Sequence, residues 1–175
     1  MPAKKAHAKK TRVFTFEVYI IGGPMTKAFM RAHRSIGRTI RIRGDQTLER
    51  FHKAIFAAFD REQEHMYEFQ VGGKGPDDPD ARRYVLFSDA DEVGDNGPAG
   101  GVKTTRIDTL GLVENDVLGY WFDFGDDWWH QINVLSIEDV AKPGRLPRVV
   151  KKVGPSPPQY IDWDAESEDE DADEE

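Results

Sequence analysis

Residues 47–60 read TLERFHKAIFAAFD, the clearest helical pattern in the chain. Apolar side chains recur in it at spacings of three, four and four, at Leu48, Phe51, Ile55 and Phe59. This spacing places them on one face of a helix. Thr47 or Asp45 can accept hydrogen bonds from the first N–H groups, and Glu49 suits the positive end of the helix dipole. The pattern predicts one amphipathic helix over residues 48–60.

Alternating apolar and polar residues on both sides of this helix predict six strands. They cover residues 13–21, 35–43, 66–71, 82–88, 117–124 and 128–137. A short helical turn is expected at Thr109–Leu112. Because one amphipathic helix covers only one face of a sheet, we expect a two-layer α+β domain of the β-grasp (ubiquitin-like) type with a mixed sheet. The other face would be partly open to solvent or to a partner.

The composition excludes several classes of protein. The 175 residues suit one domain, and the absence of cysteine excludes disulfides, thiolate metal sites and cysteine nucleophiles. Since no apolar run reaches about 18 residues, no membrane span is predicted. The basic N-terminus lacks the apolar region of a secretory signal, so we expect a cytoplasmic protein.

Charge divides the chain into four parts. Residues 1–11 are predicted to be a disordered basic arm and residues 12–142 the folded domain, within which residues 89–103 form a polar, glycine-rich, mobile loop. Residues 143–159 are predicted to be a proline-rich extended arm rather than core. Residues 160–175 contain ten acidic and no basic residues, which predicts a disordered tail.

The chain resembles a known family in three segments: residues 47–55, residues 65–69 and residues 120–130. The most specific of these is the block Tyr-x-Phe-Asp-Phe-Gly-Asp-x-Trp-x-His at residues 120–130. It resembles the plasmid pRiA ORF-three-like family of plasmids, mobile elements and bacterial chromosomes. The resemblance implies fold and genetic context rather than a chemistry. The chain departs from the family pattern at Ile36–Arg38, where a Trp-Arg pair is common, and at Ser156, where a cysteine is common.

The turn Gly125-Asp126-Asp127 predicts a hairpin that carries the densest group of potential metal ligands. These are Asp123, Asp126, Asp127 and His130. If Asp123 and His130 approach each other, the group could hold a divalent cation or share a proton, as in a metal-dependent hydrolase or nuclease.

A plainer interpretation of this cluster is structural. Asp126 and Asp127 then bond the backbone of their own turn, and His130 donates to Asp123. A third ligand such as His52 or His65 would be needed for a metal site. Taken alone, each of these two histidines is expected to be partly buried and hydrogen-bonded.

Aromatic residues surround the same hairpin. They are Tyr120, Trp121, Phe122, Phe124, Trp128 and Trp129. Because strands alternate, half of them should face away from the helix, where they would form a surface for protein, peptide or stacked bases. Alternatively, residues 157–160 pack back over the tryptophans.

Basic residues offer a third possibility, an accessory DNA-binding protein. The N-terminal arm contains Lys4, Lys5, Lys9, Lys10 and Arg12, and one strand contains Arg38, Arg41 and Arg43. Alternation places Arg41 and Arg43 outward. Nucleic-acid binding usually has a stronger basic footprint, and the acidic tail would compete for these cations.

The function that we predict from the sequence is therefore a non-catalytic interaction module without a required cofactor, with a protein or peptide as partner. Its candidate binding residues are Tyr120, Trp121, Asp123, Asp126, Asp127, Trp128, Trp129 and His130. Asp123 and His130 are the candidate metal ligands of the alternative interpretation.

Overall fold

The computed structural model describes residues 9–86 and 97–164. Its elements, in chain order, are β1 (Thr11–Gly22), α1 (Lys27–Ala32), β2 (Gly37–Arg43), α2 (Leu48–Ala58), β3 (Tyr67–Val71), β4 (Arg82–Val85), β5 (Gly100–Gly101), a short 3-10 helix (Ile107–Thr109), β6 (Val117–Phe122), β7 (Trp128–Val140) and β8 (Arg148–Val153). The six predicted strands are present. Three elements, α1, β5 and β8, have no counterpart among those predicted from the sequence.

All eight strands form one sheet in the order β5-β4-β3-β6-β7-β1-β2-β8. Neighbouring strands are antiparallel except β4 and β5, which are parallel. The prediction of an α+β fold with a mixed sheet and one main helix is confirmed. The narrower β-grasp assignment is not confirmed, because the sheet has eight strands and its two longest neighbours, β1 and β7, are antiparallel.

The helix α2 packs on one face of the sheet through the predicted apolar stripe. The side-chain oxygen of Thr47 caps it by accepting from the N–H of Arg50 at 3.2 Å. The ring of Phe51 stacks between Phe16 and Phe69, at centroid distances of 4.6 and 5.5 Å. The helix ends at Ala58, two residues before the predicted end, and the following Phe59 is also buried. We call the sheet face beneath α2 the inner face and the opposite one the outer face.

The proline-rich segment 143–159 belongs to the domain. Its strand β8 pairs with β2 at the edge of the sheet. Arg38, which is buried, donates to the Ser156 hydroxyl at 3.0 Å. The side-chain oxygen of Gln159 accepts from the backbone N–H of Glu62 at 2.7 Å. The prediction that this segment lies outside the core was therefore wrong at these contacts, which proline content alone does not reveal.

The predicted mobile loop, residues 89–103, is only partly described. Its end contains β5 and the fully buried Val102, whose N–H donates to the carbonyl of Val85 at 2.9 Å. This end is therefore part of the fold rather than a free loop. Residues 89–96 lie outside the described residues, as do residues 1–8 and 165–175 of the two charged ends.

On its outer face, the sheet is covered beside β3 and β6 by the turn of residues 72–80. Gln70 accepts from the N–H of Asp77 at 2.7 Å. A Cβ on Gly119 would lie 2.9 Å from Cα of Pro76, so only glycine lets the turn approach this closely. Among the helices in the described part of the chain, none is both long and apolar enough to cross a membrane.

Candidate functional site

The predicted hairpin forms from β6 and β7, and alternation divides its side chains between the two faces of the sheet. Four face α2 and are fully buried: Tyr120, Phe122, Trp128 and His130. Trp121 and Trp129 lie on the outer face and are half-buried. The candidate binding residues of the hairpin therefore occupy two separate environments. The predicted alternation of the aromatic residues is confirmed.

On the outer face, three aromatic rings contact one another. The rings of Trp121 and Trp129, on paired strands, stack with centroids 4.9 Å apart and an interplanar angle of 5°. Phe124 lies 4.1 Å from the Trp121 ring and is 40% exposed. We call Trp121, Phe124 and Trp129 the aromatic patch.

Residues 157–160, which were expected as an alternative cover for the tryptophans, lie elsewhere. The hydroxyl of Tyr160 is 2.6 Å from Nε2 of His65. Pro157 and Pro158 line a groove together with Phe29. The outer-face rings of the aromatic patch thus keep their solvent-facing area.

The turn between β6 and β7 is stabilised by its own aspartates. Asp123 has a left-handed backbone, with φ of 59°, and its Oδ1 accepts from the N–H groups of Gly125 and Asp126 at 3.1 and 3.2 Å. Asp127 accepts from the indole N–H of Trp121 at 2.9 Å. The plainer interpretation assigned the bonds to the turn backbone to Asp126 and Asp127, whereas the structure gives them to Asp123.

His130 does not approach Asp123 across the hairpin. Its Nδ1 is 3.1 Å from the carbonyl of Tyr120, and its Nε2 is 2.8 Å from the guanidinium of Arg61. Because a guanidinium only donates, Nε2 accepts and the proton of the neutral ring is on Nδ1. Burial, and next the charge of Arg61, hold the pKa of His130 well below its usual range. The expected hydrogen bond from His130 to Asp123 was wrong.

Arg61 is the main residue of this region that sequence reasoning missed. It follows α2 and is buried, with its guanidinium 4.9 Å from the Phe122 ring centroid and 5.0 Å from that of Trp128. Burial lowers its pKa to about 10, so the side chain stays charged at neutral pH. Among the described residues Arg61 forms no salt bridge, although the charge of Asp123 acts on it, and its close partners are the aromatic rings and His130. An arginine among acidic neighbours in DREQE (residues 60–64) has no pattern that marks it as buried.

His52 is a buried, hydrogen-bonded histidine, as predicted. Its ring stacks on Tyr67 with centroids 3.6 Å apart. Its Nδ1 is 2.7 Å from the Tyr120 hydroxyl, and its Nε2 is 2.8 Å from Oε2 of Glu64. Burial lowers the pKa of His52, and the Glu64 carboxylate opposes this.

The residues predicted as metal ligands do not come together. Asp123 lies instead near His65, whose Nε2 is 3.4 Å from its Oδ2. Within residues 9–86 and 97–164, no three histidine, aspartate or glutamate side chains are grouped in a way that could hold a metal ion. The geometry does not favour the metal-dependent alternative.

The three arginines of β2 that were considered for DNA binding do not form one free basic surface. Arg38 points to the inner side, where it donates to the carbonyl of Ala58 at 2.8 Å. Arg41 and Arg43 pair with Glu138 and Asp45, at 3.8 and 2.9 Å. In the described part of the N-terminal arm, Lys9 and Lys10 are exposed. The strand therefore offers little unpaired positive charge to a phosphate backbone.

Comparison with known proteins identifies a family without assigning a chemistry. No curated protein matches the chain. The chain is similar to a crystallised protein of unknown function from Methanosarcina mazei Go1, with a TM-score of 0.63 and 22% identity over 85% of this chain and 73% of that one. At this identity the likeness concerns the fold alone. The family of plasmid pRiA4b ORF-3-like proteins matches residues 28–163, most of the chain, and the protein belongs to this family.

Proposed function

We propose that the protein is an interaction module that binds a partner protein through the aromatic patch. One observation carries the proposal: two indoles stack in parallel on the outer face of the sheet, with an exposed phenylalanine against them. The apolar core of the described domain lies on the inner face and does not include these rings. Exposed aromatic clusters of this kind are typical of binding surfaces.

The surroundings of the patch extend its apolar area. Ile21, at the end of β1, is 54% exposed. Its neighbour Gly22 pairs with Trp129 and adds no side chain over the indole. A partner segment lying across β1, β7 and β6 could therefore bury Ile21 and both indoles together, which is where the hydrophobic contribution to binding would arise.

Charge around the patch favours a cationic partner. Asp126 and Asp127 are exposed in the turn next to Trp121. Arginine and lysine side chains bind both to tryptophan faces and to carboxylates, whereas these carboxylates repel a phosphate backbone. The partner that we propose is therefore an extended protein segment carrying arginine or lysine, rather than a nucleic acid.

A peptide titration followed by NMR tests this proposal. The probes are a short peptide that alternates arginine with threonine and its counterpart with glutamate in place of arginine. We expect the arginine peptide to shift the indole signals of Trp121 and Trp129 but not that of the buried Trp128. Trp129→Ala should abolish the response. Leu135→Ala is the control, because Leu135 is an exposed apolar residue elsewhere on β7.

Two results would contradict the proposal. The first is equal binding of the arginine peptide by Trp129→Ala and by Leu135→Ala, because the patch would then not be the contact surface. The second is a response of the two indoles to single-stranded DNA and to neither peptide, which would make the patch a base-stacking surface instead.

A further inference from the structure

A second candidate site lies on the side of the sheet covered by α2, away from the aromatic patch. It is an open cleft of about 490 Å³ between α2, the beginning of β3 and the end of β4. Its lining includes the polar residues Glu64, Tyr67 and Lys103 and the apolar residues Met66 and Leu86. The sequence analysis did not single out this cleft.

His52 orients the Glu64 carboxylate at the edge of the cleft. The Tyr120 hydroxyl donates to Nδ1 of His52, so Nε2 carries the proton and donates to Oε2 of Glu64. Both ring nitrogens are occupied, and His52 therefore positions the carboxylate rather than exchanging a proton with a ligand. The other carboxylate oxygen, Oε1, accepts no hydrogen bond within the described residues.

Tyr67 contributes a buried hydroxyl without a partner. The residue is 2% exposed, its ring is fixed by stacking on His52, and its hydroxyl makes no hydrogen bond in the described structure. Burial, and next the charges of Glu49 and Glu64, raise the pKa of Tyr67, so the hydroxyl stays protonated. An unpaired buried hydroxyl costs free energy of folding, which a ligand that hydrogen-bonds to it would recover.

The rest of the cleft supplies a positive charge and an apolar wall. Lys103 has no hydrogen-bond or ion-pair partner within residues 9–86 and 97–164, whereas Lys53 is 3.9 Å from Glu49. Met66, which is 40% exposed, and Leu86 form an apolar part of the lining. Four charged side chains line the cleft, those of Glu49, Glu64, Lys53 and Lys103. Their charges cancel, but both signs are present.

We propose that this cleft binds a free α-amino acid with an apolar side chain. The ligand's ammonium group donates to Oε1 of Glu64 and to the Tyr67 hydroxyl. Its carboxylate pairs with Lys103, and its side chain lies against Met66 and Leu86. Each part of a zwitterionic ligand thus meets a group of matching chemistry. The side chains of Glu64 and Lys103 are exposed, and the Tyr67 hydroxyl is buried without a partner in the described structure.

Calorimetric titration of the full chain with L-leucine and two analogues tests the assignment. The analogues are 3-methylbutylamine, which lacks the carboxylate, and 4-methylpentanoate, which lacks the ammonium group. We expect leucine to bind at least about tenfold more tightly than either analogue, because each analogue loses one charge-assisted interaction. Binding of either analogue as tightly as leucine would overturn the zwitterion proposal, as would no binding of leucine.

Variants locate the binding in the cleft. Tyr67→Phe keeps the ring on His52 and should weaken leucine binding about tenfold or more without lowering the melting temperature, since the lost hydroxyl had no partner. Glu64→Gln and Lys103→Gln should weaken it similarly, and Lys142→Gln, at an exposed position outside the cleft, should not. Unchanged leucine affinity in Tyr67→Phe and Glu64→Gln would place any binding elsewhere and overturn the assignment. Neither result depends on the aromatic patch.

Discussion

The two faces of the β6–β7 hairpin use similar residues in opposite ways. On the inner face, Tyr120 and His130 belong to a chain of hydrogen bonds that runs from Arg61 to Glu64. On the outer face, Trp121 and Trp129 contact each other and remain half-exposed. Successive side chains along both strands point to opposite faces of the sheet, and this direction alone separates the two sets.

This difference distinguishes the groups that hold the fold from those that remain available for binding. On the inner face both ring nitrogens of His130 are bonded, whereas Nη1 of Arg61 and the indole N–H of Trp128 are buried without a hydrogen-bond partner in the described structure. Outer-face rings contribute little to the core while exposing a surface that a partner can cover. The same distinction applies at the edge of the inner face, where Tyr67 and Glu64 keep unused hydrogen-bonding capacity.

The largest expected effect is a difference between two adjacent tryptophans. Trp128→Ala should destabilise the protein by about 3–5 kcal/mol, because it leaves a cavity beneath Arg61 in the core. Trp129→Ala should cost only about 1 kcal/mol, mainly the loss of stacking on Trp121. Chemical denaturation of both variants measures the difference. Equal losses would mean that the outer-face rings are as structural as the inner ones.

Sequence patterns predicted the alternation well, because they depend only on local periodicity. The stripe on α2 and the opposite directions of Trp128 and Trp129 follow from spacing alone. The chemistry of short polar side chains also indicated that an aspartate bonds the turn backbone, although the residue is Asp123 and not Asp126 or Asp127. These features need no knowledge of distant contacts.

Sequence patterns could not predict the contacts made between distant segments. Arg61 is buried because the rings of Phe122 and Trp128 lie beneath it, and nothing near residue 61 indicates this. The pairing of β8 with β2 likewise joins segments that are distant in the sequence, as does the hydrogen bond between Arg38 and Ser156, 118 residues apart. The unpartnered hydroxyl of Tyr67 becomes apparent only once all its neighbours are in place.

An effect of intermediate size should appear in the pH dependence of the free energy of unfolding, through the buried His130. Burial keeps the pKa of His130 in the folded state below its unfolded value of about 6.5, so the unfolded chain binds the proton first. The stability from neutral His130 is therefore fully present above about pH 6.5 and is lost as the pH falls below it, by up to about 1.4 kcal/mol per pH unit.

Unfolding free energies of wild type and His130→Gln, measured between about pH 5 and 7, test this linkage. Glutamine does not titrate, and its amide can accept from Arg61 and donate to the Tyr120 carbonyl. The variant should show a shallower fall in stability on acidification. Identical slopes would show that His130 is not held neutral by its inner-face contacts.

The smallest expected effect concerns the turn that joins the two faces. Asp127→Ala should cost about 1 kcal/mol, because it removes the hydrogen bond to the Trp121 indole and places alanine at a left-handed φ of 56°. Asp126→Ala is the matched control, since its side chain is exposed and makes no hydrogen bond in the described structure, and its stability should stay within about 0.5 kcal/mol of wild type. If Asp127→Ala were as stable as the control, Asp127 would not anchor Trp121. The orientation of the aromatic patch would then depend on stacking with Trp129 and Phe124 alone.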